Sequence, residues 1–214
     1  MPVRKIQNTS SKKHTGIFPS EKNGRLIEWE SLLERDYIYL LEFDRGVKSY
    51  TEQPLTLKTK LNGKTYKYTP DVLVVRDNIS MLIEVKPKNK LIKLKEDEKF
   101  RAKVTAANSY CKEQGYKFVI VTDEDIRTGE LLNNVKRMFK FSRIVVPSAD
   151  FLTIRNQLMT YGPMHIKELS QKLYDNERQQ KRIQAMVFSL LYSQKLVCDL
   201  MKEKISLATY VELP

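Results

Sequence analysis

Apolar residues recur along this chain in two rhythms, a helical one near 3.6 and a strand-like one of 2, and their alternation predicts the elements. Leu26, Trp29, Leu33, Tyr37, Leu40 and Leu41 share one helical stripe, so residues 26–43 are expected to form a helix that Gly46 ends. Residues 47–50 and 55–61 read as strands, Asn62-Gly63 as a tight turn and residues 64–68 as the returning strand. Two apolar runs, 72–75 and 81–85, then flank Asp77-Asn78, which is turn chemistry, and predict a second hairpin. The expected result is a meander, with Pro54 at a strand entry or bulge.

Phe100, Val104, Ala107 and Cys111 give residues 96–113 a helical apolar stripe, with Gly115 just past its end. Residues 116–122 form a continuous apolar run, as in a buried strand. Strand, helix, strand in that order predicts a right-handed crossover that sets 116–122 parallel to 81–86. Residues 129–139 are helical again. Arg143-Ile-Val-Val-Pro147-Ser148 looks like a boundary. Beyond it, three short helices follow, marked by Phe151, Ile154 and Leu158, by Ile166, Leu169 and Leu173, and by Ile183, Val187, Leu190 and Leu191. Gly162-Pro163 stops the first, and Asp175 is the expected cap of the third. Residues 196–201 and 205–210 then flank the turn 202–204 as a β-ribbon, completing a winged-helix layout. The predicted organisation is a basic arm (1–25), an α/β domain with a mixed sheet flanked by helices (26–146) and a small winged-helix-like α+β domain (147–214).

The totals narrow the class. A chain of 214 residues, 41% hydrophobic, has enough apolar material for a real core. Its net charge of +12 points to a polyanionic partner, nucleic acid first and an anionic membrane surface second. No stretch approaches the roughly 20 apolar residues of a membrane span, and the N-terminus has no apolar signal region, so a cytoplasmic protein is expected. Cys111 and Cys198 are isolated and read as thiols rather than a disulfide. Two cysteines and two histidines far apart do not suggest a structural zinc site.

The chemistry concentrates at the second hairpin. With Asp77 and Asn78 as its loop, Arg76 faces Ile79, Val75 faces Ser80, and the register runs back until Asp71 lies opposite Glu84. Lys86, two residues beyond Glu84, points to the same face. Two facing carboxylates repel, and a hard divalent cation such as Mg²⁺ removes the objection. A lysine beside them can hold a water or stabilise charge on a phosphate. Glu34 sits at the edge of its helix stripe and can point toward this hairpin or outward to water. Lys88, Lys90 and Lys93 leave the same strand end as a basic collar suited to a DNA backbone, and Arg178, Lys181 and Arg182 start the third C-terminal helix, where they can face DNA or a protein. Glu52-Gln53-Pro54 lies near the same sheet edge.

Pro70-Asp71 followed by Glu84-Val85-Lys86 resembles the motif of the PD-(D/E)xK nuclease superfamily, whose fold is restriction-endonuclease-like. Within it, Ser31-Leu-Leu-Glu34-Arg35, Leu40-Leu-Glu-Phe43, Glu52-Gln53-Pro54-Leu55, Tyr68-Thr-Pro-Asp71 and Ile83-Glu84-Val85-Lys86-Pro87 resemble the TnsA family of transposon endonuclease subunits over roughly residues 15–145. The resemblance implies an inward Glu34 and a Mg²⁺ site (Mn²⁺ substituting) held by Glu34, Asp71, Glu84 and the carbonyl of Val85, with Lys86 as the catalytic lysine. It implies cleavage of the non-transferred (5′) strand of double-stranded DNA at transposon ends, together with a TnsB-type DDE transposase and a TnsC-type AAA+ regulator. Two rival readings remain at this point. One is a stand-alone restriction or junction-resolving nuclease of the same superfamily, which would cut without partners. The other is a non-catalytic DNA-binding scaffold, in which Lys86 would be dispensable.

Overall fold

The computed structural model describes residues 14–214, and the chain divides into two compact units at Arg127/Thr128. In the first unit the elements run β1 (Gly16–Ser20), β2 (Arg25–Trp29), α1 (Leu32–Phe43), β3 (Val47–Glu52), β4 (Leu57–Leu61), β5 (Lys64–Tyr68), β6 (Val72–Arg76), β7 (Ser80–Val85), α2 (Lys88–Leu94), α3 (Glu98–Gln114), β8 (Lys117–Val121) and α4 (Asp123–Ile126). The central sheet has the order β3-β6-β7-β8. It is mixed: β3, β6 and β7 pair antiparallel, and β8 joins β7 in parallel after the helical crossover. β7 is buried from Leu82 to Val85, as an interior strand covered on both faces should be.

The hairpin register is the one the turn residues predict. Val75 pairs with Ser80 and Val72 with Ile83, and the Arg76 amide donates to the Ile79 carbonyl at 3.0 Å. The regular ladder ends at Val72 and Ile83, and just beyond it the Asp71 amide donates at 3.0 Å to the Ile83 carbonyl, one residue out of register. Tyr68, Leu82, Ala107 and Cys111 form a buried cluster in which α3 covers one face of the sheet. Leu82 and Glu84 are two apart on β7, so Glu84 emerges on this α3-covered face. Gly115 ends α3 with a φ of 69°, and its amide reaches the Cys111 and Lys112 carbonyls.

Three expectations for this unit are corrected. First, residues 1–13 of the expected basic arm lie outside the described residues, and the rest of it is an ordered hairpin, β1–β2. Buried Phe18 and Ile27 hold that hairpin, and the buried Glu42 carboxylate accepts from Ser20 Oγ (2.8 Å), the Glu21 and Lys22 amides (2.8 and 3.0 Å) and the Tyr50 hydroxyl (2.6 Å). Second, the helix starts at Leu32, not Leu26, because Ser31 caps it by accepting from the Glu34 amide at 3.1 Å. Third, there is no simple meander. β3 pairs directly with β6, and β4–β5 forms a separate two-stranded sheet. Gln53 takes a φ of 43° and Pro54 follows it without an amide proton, so the chain leaves the sheet after β3.

The second unit holds α5 (Leu131–Phe139), α6 (Ser148–Tyr161), β9 (Met164–His165), α7 (Ile166–Leu173), α8 (Glu177–Tyr192) and β10 (Tyr210–Val211). Residues 129–146, expected to close the first domain, belong here. The Glu130 amide donates to the Met201 carbonyl at 2.9 Å, and buried Asn134 donates to the Leu200 and Glu203 carbonyls (2.9 and 2.8 Å) and accepts from the Ile205 amide (2.8 Å). Gly129 lies against this turn so closely that a Cβ would sit 2.5 Å from the Met201 carbonyl oxygen. Those bonds also replace the expected ribbon. Residues 196–201 and 205–210 do not pair with each other; β9 pairs with β10, and Val197 bridges Glu212. α8 is capped by Asn176 rather than Asp175, its side chain accepting from the Arg178 and Gln179 amides. Among the described residues no helix is long and apolar enough to cross a membrane. Cys111 and Cys198 are free thiols.

Candidate active site

The site lies in the first unit, where β3, β6 and β7 end side by side. The Asp71 Oδ2 atom accepts the Val85 amide at 2.7 Å. Glu84 is buried, its Oε2 accepting from the Tyr68 hydroxyl at 2.8 Å. Lys86 Nζ stands 2.7 Å from Glu84 Oε1 and 3.8 Å from Asp71 Oδ2. Burial and the neighbouring Glu84 charge push the Asp71 carboxyl well above the usual carboxylate range, with Glu34 adding to the rise and Lys86 opposing it. Burial also acts to lower the Lys86 ammonium, but Asp71, Glu84 and Glu34 outweigh it and raise the group, so it stays charged. Tyr68 is raised by burial and by the charge it donates to, and it remains a phenol. The arrangement therefore resists ionisation of both acids at once, and Lys86 offsets only part of that resistance.

Glu34 is placed nearby but is turned to its own helix end. Its Oε2 accepts the Glu30 amide at 2.8 Å and its Oε1 the Ser31 hydroxyl at 2.9 Å. Burial raises its carboxyl, with those hydrogen bonds and the Lys86 charge pulling the other way. Among the described residues, no three His, Cys, Asp or Glu side chains group into a metal-holding cluster. Val85 meets Asp71 through its amide.

The basic groups beside the site are not the expected ones. Lys88, Lys90 and Lys93 are exposed on or at the start of α2, and Lys88 is ion-paired with Glu124. The cleft that contains Asp71, Glu84 and Lys86 is instead lined by Lys58, Lys67, Lys99 and Lys103, from β4, β5 and α3. Lys58 and Lys67 face each other directly across the β4–β5 ladder. Lys99 lies over the Tyr66 ring at 4.4 Å and Lys103 over the Tyr68 ring at 5.7 Å. The sequence signal was available: Lys58 and Lys60 alternate on one arm of the Asn62-Gly63 hairpin and Lys67 faces Lys58 from the other, which puts three lysines on one face. In the second unit Arg178, Lys181 and Arg182 line one shallow cleft at the start of α8, where Lys181 pairs with Glu177 at 2.7 Å and Arg182 with Asp150.

Residues 44–123 match the family model described as TnsA-like endonuclease, N terminal. This stretch is similar to the N-terminal domain of TnsA-like endonucleases. The match takes in β3 through β8 with Asp71, Glu84 and Lys86, so the TnsA-like region contains the site just described. Glu34 and the whole second unit lie outside the matched residues. No curated protein matches the chain significantly.

Proposed function

We propose that this protein is a divalent-metal-dependent DNA endonuclease that hydrolyses phosphodiester bonds as the strand-cutting subunit of a heteromeric transposase. One observation carries the reading: Asp71 and Glu84 converge on Lys86 Nζ, at 3.8 and 2.7 Å, in a cleft lined by four further lysines. The donor set fits Mg²⁺ or Mn²⁺, which take carboxylate oxygens, and a cation there would offset the burial and Glu84 charge that raise the Asp71 carboxyl. Asp71 and Glu84 would hold the ion. When bound, such an ion acidifies water and offsets charge on a phosphate.

The chain's own residues supply the rest. Tyr68 and the Val85 amide orient the two carboxylates. Lys86, on the same face, is placed to donate to the scissile phosphate or to the attacking water once a cation has taken its place beside the acids. Lys58, Lys67, Lys99 and Lys103 would neutralise flanking phosphates. Glu34 could join the site only by giving up its helix-end bonds. The second unit, four helices with β9, β10 and the Val197–Glu212 bridge, we read as a winged-helix-like module, with Arg178 at the head of α8 reaching DNA or a partner. Cytoplasmic action, cleavage of the non-transferred strand, and partnership with a TnsB-type transposase and a TnsC-type regulator extend the TnsA likeness and belong to the same proposal. The test is Asp71→Ala, assayed with transposon-end DNA and Mg²⁺ both alone and with the transposase. Loss of cleavage with an unchanged circular dichroism spectrum supports the reading, and retained Mg²⁺-dependent nicking overturns it. Cleavage by the purified protein alone would favour a stand-alone nuclease over a transposase subunit.

A further inference from the structure

Gln53 stands in line with the two acids. β3 ends with Glu52 opposite Val72, and one rung further the Gln53 amide donates to the Asp71 carbonyl at 2.8 Å. Asp71 and Glu84 in turn converge on Lys86 Nζ, at 3.8 and 2.7 Å. Gln53, Asp71 and Glu84 thus come from three adjacent strands at one level, strands being about 4.8 Å apart, and all three line the same cleft. Glu52 anchors this end of β3, since both its oxygens accept from the Arg25 guanidinium at 2.6 and 2.5 Å.

Two features set Gln53 apart. Its φ of 43° is left-handed, a conformation that a side-chain-bearing residue adopts at a cost and that concentrates at functional sites. Its Oε1 is buried and has no hydrogen-bond partner. The orientation of the amide is determined by Glu30, whose Oε1 accepts from Gln53 Nε2 at 2.9 Å. A carboxylate can only accept, so the NH₂ must face Glu30 and the carbonyl oxygen must point elsewhere. A buried amide oxygen with no donor is costly to leave so.

We propose that Gln53 is a further ligand residue of the site, its Oε1 giving a third, neutral oxygen to the divalent cation that Asp71 and Glu84 hold, with Glu30 as the positioning residue. The inference rests on the cation site proposed above. Hard cations accept mixtures of carboxylate and amide oxygens. A neutral third donor also suits a cleft into which the Asp71 and Glu84 carboxylates already converge. A third carboxylate there would deepen that conflict.

The test measures Mn²⁺ affinity by calorimetry, without DNA, for the wild type, Gln53→Gly, Glu30→Gln and Asp71→Ala, alongside thermal melting of each metal-free protein. Glycine accepts the left-handed φ, so Gln53→Gly is expected to melt at or above the wild-type temperature while binding Mn²⁺ about tenfold more weakly. Glu30→Gln, which lets the amide turn over, is expected to weaken binding by a smaller factor. Wild-type Mn²⁺ affinity in Gln53→Gly, with Asp71→Ala weakened, overturns the role of Gln53 and leaves the cation site standing. Wild-type affinity in Asp71→Ala as well overturns both.

Discussion

Lys58 and Lys67 are cross-strand partners in the β4–β5 hairpin, two like charges at one rung on the wall of the cleft that holds Asp71 and Glu84. Like charges directly opposite destabilise a sheet. The cleft therefore contains two electrostatic conflicts of opposite sign, paired acids on its floor and paired lysines on its wall. A phosphodiester with its cation resolves both.

Lys58→Glu separates stability from binding. It turns a repulsive rung into an attractive one and should stabilise the unit by about 0.2–1 kcal/mol, read by chemical denaturation. DNA affinity should fall, and the slope of log K against log salt should shrink by about 1 for each lost phosphate contact. Anisotropy titrations at several salt concentrations check this; an unchanged slope would place the DNA elsewhere.

Asp71 gives a pH signature. Its carboxyl is raised in the folded protein, chiefly by burial and by Glu84, so its contribution to stability is full below the unfolded value of about 3.9 and is lost as pH rises through the raised folded value. Asp71→Asn should therefore melt higher than the wild type without metal, by a margin that grows as pH rises through that window and then levels off. Added Mg²⁺ should stabilise the wild type more than the variant. Parallel melting curves at every pH would refute the account.

Tyr68→Phe removes the donor to Glu84 Oε2. A buried hydrogen bond to a charged group is worth about 1.5–3 kcal/mol, so the variant should lose stability on that scale. Cleavage should fall by roughly 10- to 100-fold, as for other residues that orient metal-binding carboxylates. Denaturation and single-turnover cleavage measure the two effects.

Lys86→Met and Lys88→Met should behave oppositely. Lys86 touches both acids, so its loss should abolish cleavage; Lys88 is exposed and paired with Glu124, so its loss should change the rate less than twofold. Comparable defects in both would mean that the lysine beside the acids has no special part.

Asn134→Ala should destabilise the second unit by about 2–3 kcal/mol, because two carbonyls and one amide lose their partner at once. Hydrogen exchange at residues 200–205 should quicken while β6 and β7 stay protected. Uniform quickening across the chain would tie the two units into one cooperative block.

Local pattern determined the part of this protein that is written in short segments. The Asp77-Asn78 turn set the β6–β7 register, because pairing in a two-residue hairpin is arithmetic. That register brought Asp71 and Glu84, each just past the Val72–Ile83 pair, together beside Lys86, while Gly115 and the apolar run after it announced the parallel crossover. Tertiary structure decided whatever depends on partners distant in the chain. Glu42 pulls the basic N-terminal segment into the β1–β2 hairpin, and Asn134 claims the turn at 200–205 and with it residues 129–146. The positive φ of Gln53 sends β4–β5 out of the sheet and carries Lys58 and Lys67 to the cleft in place of Lys90 and Lys93. Each of these turns on where a buried polar group finds its hydrogen bonds, and periodicity holds no record of that.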